Sequence, residues 1–230
     1  MSNDQTLKQV EAGVGWEFKD KNLLIEALTH STFAHENPEF GAPNERLEFL
    51  GDAVLDLVVA TRLLKLFPEE REGMLSRRRA AVVQSQALAD IGKSYGLDHF
   101  LLVGGGIAKD RQERGLTKRV LSSAFEALVG AIYLDGGVAA VESCFGERLQ
   151  EAIEQSGDWL DYKTILQEHC HREKQSVPEY KVMEVGGEEH SREYTCSVYI
   201  EGKELGTATS TKKKSAEQLC AQKAMIALGL

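Results

Sequence analysis

Asn44-Glu45-Arg46-Leu47-Glu48-Phe49-Leu50-Gly51-Asp52-Ala53-Val54-Leu55-Asp56 is the most informative run in this chain. At about 100° per residue, Glu45, Glu48 and Asp52 fall within about 60° of one another on a helix and form one acidic seam. The other positions through Ala60 include Leu47, Phe49, Leu50, Val54, Leu55, Leu57, Val58 and Val59, so the helix is expected to be buried nearly all round. Ionised carboxylates are costly in such surroundings, and like charges at this spacing call for a cation, a shared proton or an arginine between them. Two readings are open. Either the seam holds a divalent metal ion, or it faces water and is neutralised by Arg46 and other basic residues.

Upstream of the seam, Leu23, Leu24, Ala27 and Leu28 suit a helix ended by Thr29-His30-Ser31-Thr32, and Glu36 to Pro43 reads as a loop. That loop delivers the chain to Asn44, an N-cap candidate, with Glu45 and Glu48 favouring the positive helix end. Downstream, Pro68 stops the helix. Met74 through Ala89 is expected as one helix, with Arg77, Arg78 and Arg79 on a solvated surface and one of them pairing with the preceding glutamates. Gly104-Gly105-Gly106 through Gly115 has the composition of a mobile connection, and it matches neither GxGxxG nor GxxxxGK[ST]. A second apolar helix covers Thr117 to Asp135 and ends at Gly136-Gly137. Before its terminal Asp135 it contains a lone carboxylate among apolar residues, Glu126.

A polar linker, residues 156–161, separates this helical region, residues 1–155, from residues 162–230. There a helix from about Tyr162 to Glu173 precedes three strand-like segments, and a last helix runs from about Lys213 to Leu228. The expected fold is an all-α N-terminal domain followed by a small α-β-β-β-α module.

The net charge is −9, which argues at first against nucleic acid, yet Lys212-Lys213-Lys214 shows that local patches depart from the total. The four cysteines, Cys144, Cys170, Cys196 and Cys220, form no CxxC pair and are expected to be reduced. Neighbouring helical residues rarely share an ion, so His169-Cys170-His171 is a weak metal candidate. No run of about 18 apolar residues occurs, and Met1-Ser2-Asn3-Asp4-Gln5 lacks a signal-peptide pattern. A soluble, cytoplasmic protein without membrane attachment is expected.

Taken together, these stretches resemble the bacterial ribonuclease III family over essentially the whole chain. Asn44 to Ala53 reads as its signature, accompanied in order by Ala27-Leu28-Thr29-His30-Ser31, Glu72-Gly73 with Ser76-Arg77, and Phe125-Glu126-Ala127-Leu128 with Leu134-Asp135. The C-terminal part resembles a double-stranded-RNA-binding domain through Leu166-Gln167-Glu168, Pro178-Glu179-Tyr180, Gly187-Glu188-Glu189-His190 and Lys213-Lys214-Ser215-Ala216-Glu217.

The resemblance implies a homodimeric endoribonuclease that cuts double-stranded RNA to 5′-phosphate and 3′-hydroxyl ends, in processing of rRNA precursors and mRNA. It further implies Mg²⁺, with Mn²⁺ as a substitute, held by Glu45, Asp52 and Glu126. Asp52 and Glu126 would be catalytic, and Glu48 and Glu72 would support them. Gln167, Glu168, His190, Lys213 and Lys214 would meet RNA. One position departs from the pattern: Ser123 stands where the family usually shows Asp. Its hydroxyl can hold a metal-bound water but brings no charge. The alternative is therefore a double-stranded-RNA-binding protein whose cleavage site is impaired.

Overall fold

In the computed structural model, which describes residues 3–156, 160–185 and 193–230, the chain divides into two units, Met1–Asp158 and Trp159–Leu230. The first contains α1 (Asn3–Val14), α2 (Lys21–Ala27), α3 (Ser31–Glu36), a 3-10 turn at Pro38–Phe40, α4 (Glu45–Leu66), α5 (Glu72–Val82), α6 (Ser85–Ser94), α7 (Leu97–Phe100), α8 (Gly105–Arg114) and α9 (Lys118–Gln155). The second contains α10 (Tyr162–Arg172), β1 (Glu179–Val185), β2 (Glu193–Ile200), β3 (Lys203–Ser210) and α11 (Lys213–Ala227). An all-helical region followed by an α-β-β-β-α module is the expected fold class.

The core of the first unit is built on α9, whose Phe125, Leu128, Ile132, Phe145, Leu149 and Ile153 are fully buried. α4 crosses it at two glycines. A Cβ on Gly51 would lie 1.7 Å from the Glu126 carbonyl oxygen, and one on Gly130 would lie 2.3 Å from that of Leu47. The two backbones therefore touch where the acidic seam passes. α9 leaves helical conformation at Gly137 (φ 73°), which the Gly136-Gly137 pair anticipated. Just before this break the Asp135 carboxylate accepts hydrogen bonds from the backbone N–H groups of Lys19 and Asp20 (3.0–3.1 Å) and from Trp16 Nε1 (2.9 Å). α9 is the one described helix long and apolar enough to cross a membrane, but its large apolar side chains form this core.

Four expectations need correction. α4 is not buried all round: Phe49 (81% exposed), Leu57 (55%) and Leu64 (63%) face outward, because α9 covers only one side of it. Asn44 is buried but does not cap α4 through its side chain; its Nδ2 donates instead to the Ala27 carbonyl, tying the start of α4 to the end of α2. Met74 to Ala89 is two helices, α5 and α6, because Gln84 adopts an extended backbone (ψ 147°). The segment after Gly104 is helical rather than a loop: the Glu36 carboxylate accepts the Gly105 N–H (3.0–3.1 Å), and Arg114 pairs with Asp110 one turn earlier. The arginine run behaves as expected in part, since Arg78 pairs with Glu70 (2.7 Å) and stacks on Phe67.

In the second unit the antiparallel order β1-β2-β3 buries Cys196, Val198, Ile200 and Ala208, and α11 packs on the sheet. Strand alternation places these residues on one face. α11 crosses β3 at Gly206, where a Cβ would meet the Cys220 carbonyl at 2.4 Å. Glu201 and Gly202, both with positive φ, make the two-residue hairpin between β2 and β3. All four cysteines are free thiols.

Candidate active site and RNA surface

The α4–α9 crossing opens into a cleft of about 620 Å³ lined by His30, Ser31, Asn44, Glu45, Glu48, Phe49, Asp52, Arg119, Ser123 and Glu126. Glu45, Glu48 and Asp52 come from the seam on α4, and Ser123 and Glu126 come from one face of α9. Residues about 75 positions apart in sequence thus meet because the glycine crossing brings the two helices into backbone contact. The carboxylates are not entombed: Glu45 and Asp52 are exposed, while Glu48 and Glu126 are half-buried. The cost expected for a helix buried all round falls mainly on Glu126. Burial, followed by the nearby charges of Glu48 and Asp52, pushes its carboxyl up to about 7.

Ser123 Oγ donates to Glu48 Oε1 at 2.9 Å, so the residue that departs from the family pattern orients a carboxylate of the cleft. Its lone pairs remain able to accept a hydrogen bond from water. Glu72 is not among the residues lining this cleft; at the start of α5 it accepts a hydrogen bond from Ser76 Oγ (2.7 Å). Two ionisable cleft residues had no role assigned from the sequence, His30 and Arg119. His30 Nδ1 accepts the Thr32 N–H (3.2 Å), which leaves the proton of the neutral ring on Nε2. Burial holds its pKa down, against the opposing pull of Glu45 and Glu48. The position of His30 in the Thr29-His30-Ser31 motif was the available signal. A larger groove of about 920 Å³ includes Arg62, Tyr95 and Glu142, but there Arg62 and Glu142 already pair with each other.

On the second unit, Gln167 and Glu168 are exposed on α10, and Lys213 and Lys214 are exposed in the first turn of α11. Lysines at a helix N-terminus combine two attractions for phosphate, their own charge and unpaired backbone N–H groups. His190 lies outside the described residues. Among the described residues, His169-Cys170-His171 forms no metal-binding group, and Cys170 is buried.

A helical domain with a carboxylate-lined cleft, followed by a lysine-tipped α-β-β-β-α module, defines a class: nucleases equipped with a duplex-RNA-binding domain. Comparison with known proteins agrees. Residues 20–153 match the family described as Ribonuclease-III-like, and residues 162–228 match the double-stranded RNA binding motif. The chain is 43% identical over 216 residues to Ribonuclease 3 of Symbiobacterium thermophilum, covering 93% of this chain and 90% of that one. It is 41% identical over 223 residues to Ribonuclease 3 of Streptomyces coelicolor, covering 94% and 77%. The solved nuclease domain of ribonuclease III from Campylobacter jejuni is 40% identical, with a TM-score of 0.56 over 66% of this chain and 96% of that one. The chain belongs to the ribonuclease III family, and it is an endoribonuclease with a double-stranded-RNA-binding domain.

Proposed function

We propose that the chain hydrolyses phosphodiester bonds of double-stranded RNA with the help of a divalent cation, Mg²⁺ or in its place Mn²⁺, leaving 5′-phosphate and 3′-hydroxyl ends. The observation that carries this reading is the convergence of Glu45, Glu48, Asp52 and Glu126 on one open cleft, with Glu126 already destabilised as an anion by burial and then by the charges of Glu48 and Asp52. Oxygen donors of this kind suit a hard cation. Among the described residues no three such groups stand close enough to enclose an ion outright. Carboxylates spread round an open cleft fit a cation that keeps part of its hydration shell, as Mg²⁺ does.

Glu45, Asp52 and Glu126 would hold the cation, which when bound supplies a stronger water nucleophile and charge stabilisation at the leaving oxygen. Glu48, fixed by Ser123, shapes the hydrogen bonding around it. The second domain would hold the duplex through Gln167, Glu168, Lys213 and Lys214, reading the shape of A-form RNA rather than its bases. We place this activity in the cytoplasm, in maturation of rRNA precursors and mRNA; four free thiols suit a reducing compartment.

Cleavage of a duplex RNA is expected with Mg²⁺ and lost on chelation, with activity returning when Mg²⁺ is restored. A chelator-insensitive nuclease would sink the metal reading. The rival reading is a duplex-RNA binder disabled by Ser123. It would be favoured by binding without any cutting and by gain of cutting in Ser123→Asp, which adds a carboxylate beside Glu48.

We further infer a homodimer. Phe49, Leu57, Leu64 and Leu134 are exposed apolar side chains, and a cavity of about 680 Å³ beside Phe49 is lined by Leu23, Leu47, Leu50 and Leu134. In a two-fold dimer each Phe49 can fill the partner's cavity reciprocally. The nuclease domain of ribonuclease III from Campylobacter jejuni shows structural flexibility in a region involved in dimer formation. Phe49→Glu is expected to shift the protein toward monomer in analytical ultracentrifugation, and an unchanged dimerisation constant would remove Phe49 from the interface.

Lys213→Ala combined with Lys214→Ala is expected to weaken binding to duplexes of any sequence and to lower the salt slope by about two, one for each lysine that no longer meets phosphate. An unchanged slope in a binding titration from low to moderate salt would show that neither lysine touches the backbone.

A further inference from the structure

Among the described residues, Arg119 is the only arginine or lysine lining the carboxylate cleft. It stands in the first turn of α9, one turn before Ser123 and two turns before Glu126, so the three side chains leave the helix within about 60° of one another. Along this wall the cleft presents a cation, a hydroxyl and a carboxylate in that order.

What sets Arg119 apart is what it does not do. Arg62, Arg78, Arg79, Arg114 and Arg148 each pair with a carboxylate in the same domain. Arg119 lines a cleft with four carboxylates, and among the described residues its guanidinium forms an ion pair with none of them. It is exposed at the cleft's edge rather than folded onto the seam. An arginine serving only to neutralise Glu45 or Asp52 would have closed on that carboxylate.

The cleft also has an electrostatic difficulty that a phosphate must overcome. Four carboxylates repel an RNA backbone, and among the described residues Arg119 is the only arginine or lysine lining the cleft to answer them. One divalent cation would leave them two charges in excess. A guanidinium at the edge reduces that excess, and its planar fork matches two non-bridging oxygens of a phosphodiester. From its Cα, about 10 Å along the helix axis from that of Glu126, the side chain can span toward a phosphate seated between them.

We propose that Arg119 binds the phosphodiester being cut, acting as the cationic wall opposite the carboxylate seam. This rests on the endonuclease reading above and assigns that site a further substrate-binding residue. The carboxylates hold the cation, Arg119 holds the phosphate, and Ser123 between them ties Glu48 in place without adding a charge that would compete for the guanidinium.

The test uses the full-length protein and a defined duplex RNA. In the Glu126→Gln background with Mg²⁺, adding Arg119→Ala is expected to lower the salt slope of duplex binding by about one. In the otherwise native chain, Arg119→Ala is expected to reduce kcat/KM about 10- to 100-fold while leaving the Mg²⁺ concentration for half-maximal activity unchanged, with Arg119→Lys falling between the two. An unaltered salt slope together with cleavage within about twofold of the native protein would overturn the proposal. So would a loss of activity that extra Mg²⁺ restores, because Arg119 would then be acting on the carboxylates. If the native protein cut no duplex but the salt slope still fell, the endonuclease reading would fail and the phosphate contact would stand.

Discussion

Glu126→Gln is expected to lower cleavage of duplex RNA by about 10³-fold or more while leaving duplex binding within about twofold of the native protein. Glutamine keeps the size and one oxygen of the side chain but removes the charge. The substitution therefore separates the carboxylate's chemistry from its packing. Glu126 reaches the cleft from α9, whereas Lys213 and Lys214, the proposed RNA contacts, belong to the other domain, so the loss should appear in turnover and not in affinity. Normal turnover in a single-turnover assay would remove Glu126 from the mechanism.

The same variant has a second consequence in metal-free protein. With its carboxyl pushed up to about 7 from an ordinary 4.5, Glu126 binds its proton more tightly in the folded chain than in the unfolded one. Below pH 4.5 both states keep the proton and no penalty exists. Between 4.5 and 7 the unfolded chain releases it first, so stability falls as pH rises, and above 7 the penalty is complete. The side chain is partly exposed, so solvent screening reduces the cost to the order of 1 kcal/mol. With a chelator present, Glu126→Gln should melt higher than the native protein at about pH 8 and at nearly the same temperature at about pH 4. Equal melting temperatures at both pH values would show that the cleft does not strain this carboxylate.

Gly51→Ala is expected to be the most disruptive glycine-to-alanine change among the described residues. The added Cβ would sit 1.7 Å from the carbonyl oxygen of Glu126, which belongs to helix backbone and cannot swing aside as a side chain could. α4 and α9 must separate, and the burial of Leu47, Val54, Leu55 and Leu128 around the crossing loosens with them. Overpacking and the looser core together are expected to cost about 3 kcal/mol or more, a fall in Tm of about 10 °C. Cleavage should drop even in the fraction that stays folded, because Glu126 moves away from Glu45 and Asp52. Gly73→Ala is the control: it lies in helix α5, a Cβ there meets nothing within 4 Å, and stability should be unchanged or slightly raised. If Gly51→Ala melted like the control, the backbone contact would not be what assembles the cleft.

Much of the site was legible in the sequence because helical periodicity is a local property. The spacing of Glu45, Glu48 and Asp52 places them on one side of α4 whatever the rest of the chain does. Glu126 was noticeable as a lone carboxylate in the apolar middle of its helix, and the resemblance to ribonuclease III joined it to the seam. Exposure was not legible in the same way. Phe49 and Leu57 looked like core residues by their chemistry, yet they point away from α9, because apolar identity does not say which of several faces finds a partner within its own chain. The Gly104 to Gly115 segment misled for a related reason. Its composition favours a loop, and only the arrival of Glu36 at the Gly105 N–H supplies the cap that lets α8 begin.

By itself, then, the sequence determined the order of the two folds, the acidic face of α4 and the lysines that open α11, all consequences of residues near one another in the chain. Tertiary structure alone decided that Gly51 and Gly130 bring α4 and α9 into backbone contact, that Ser123 binds Glu48, and that Arg119 faces the carboxylates without pairing with them. These relations join residues about 70 or more positions apart, and no local periodicity carries information about where two helices cross.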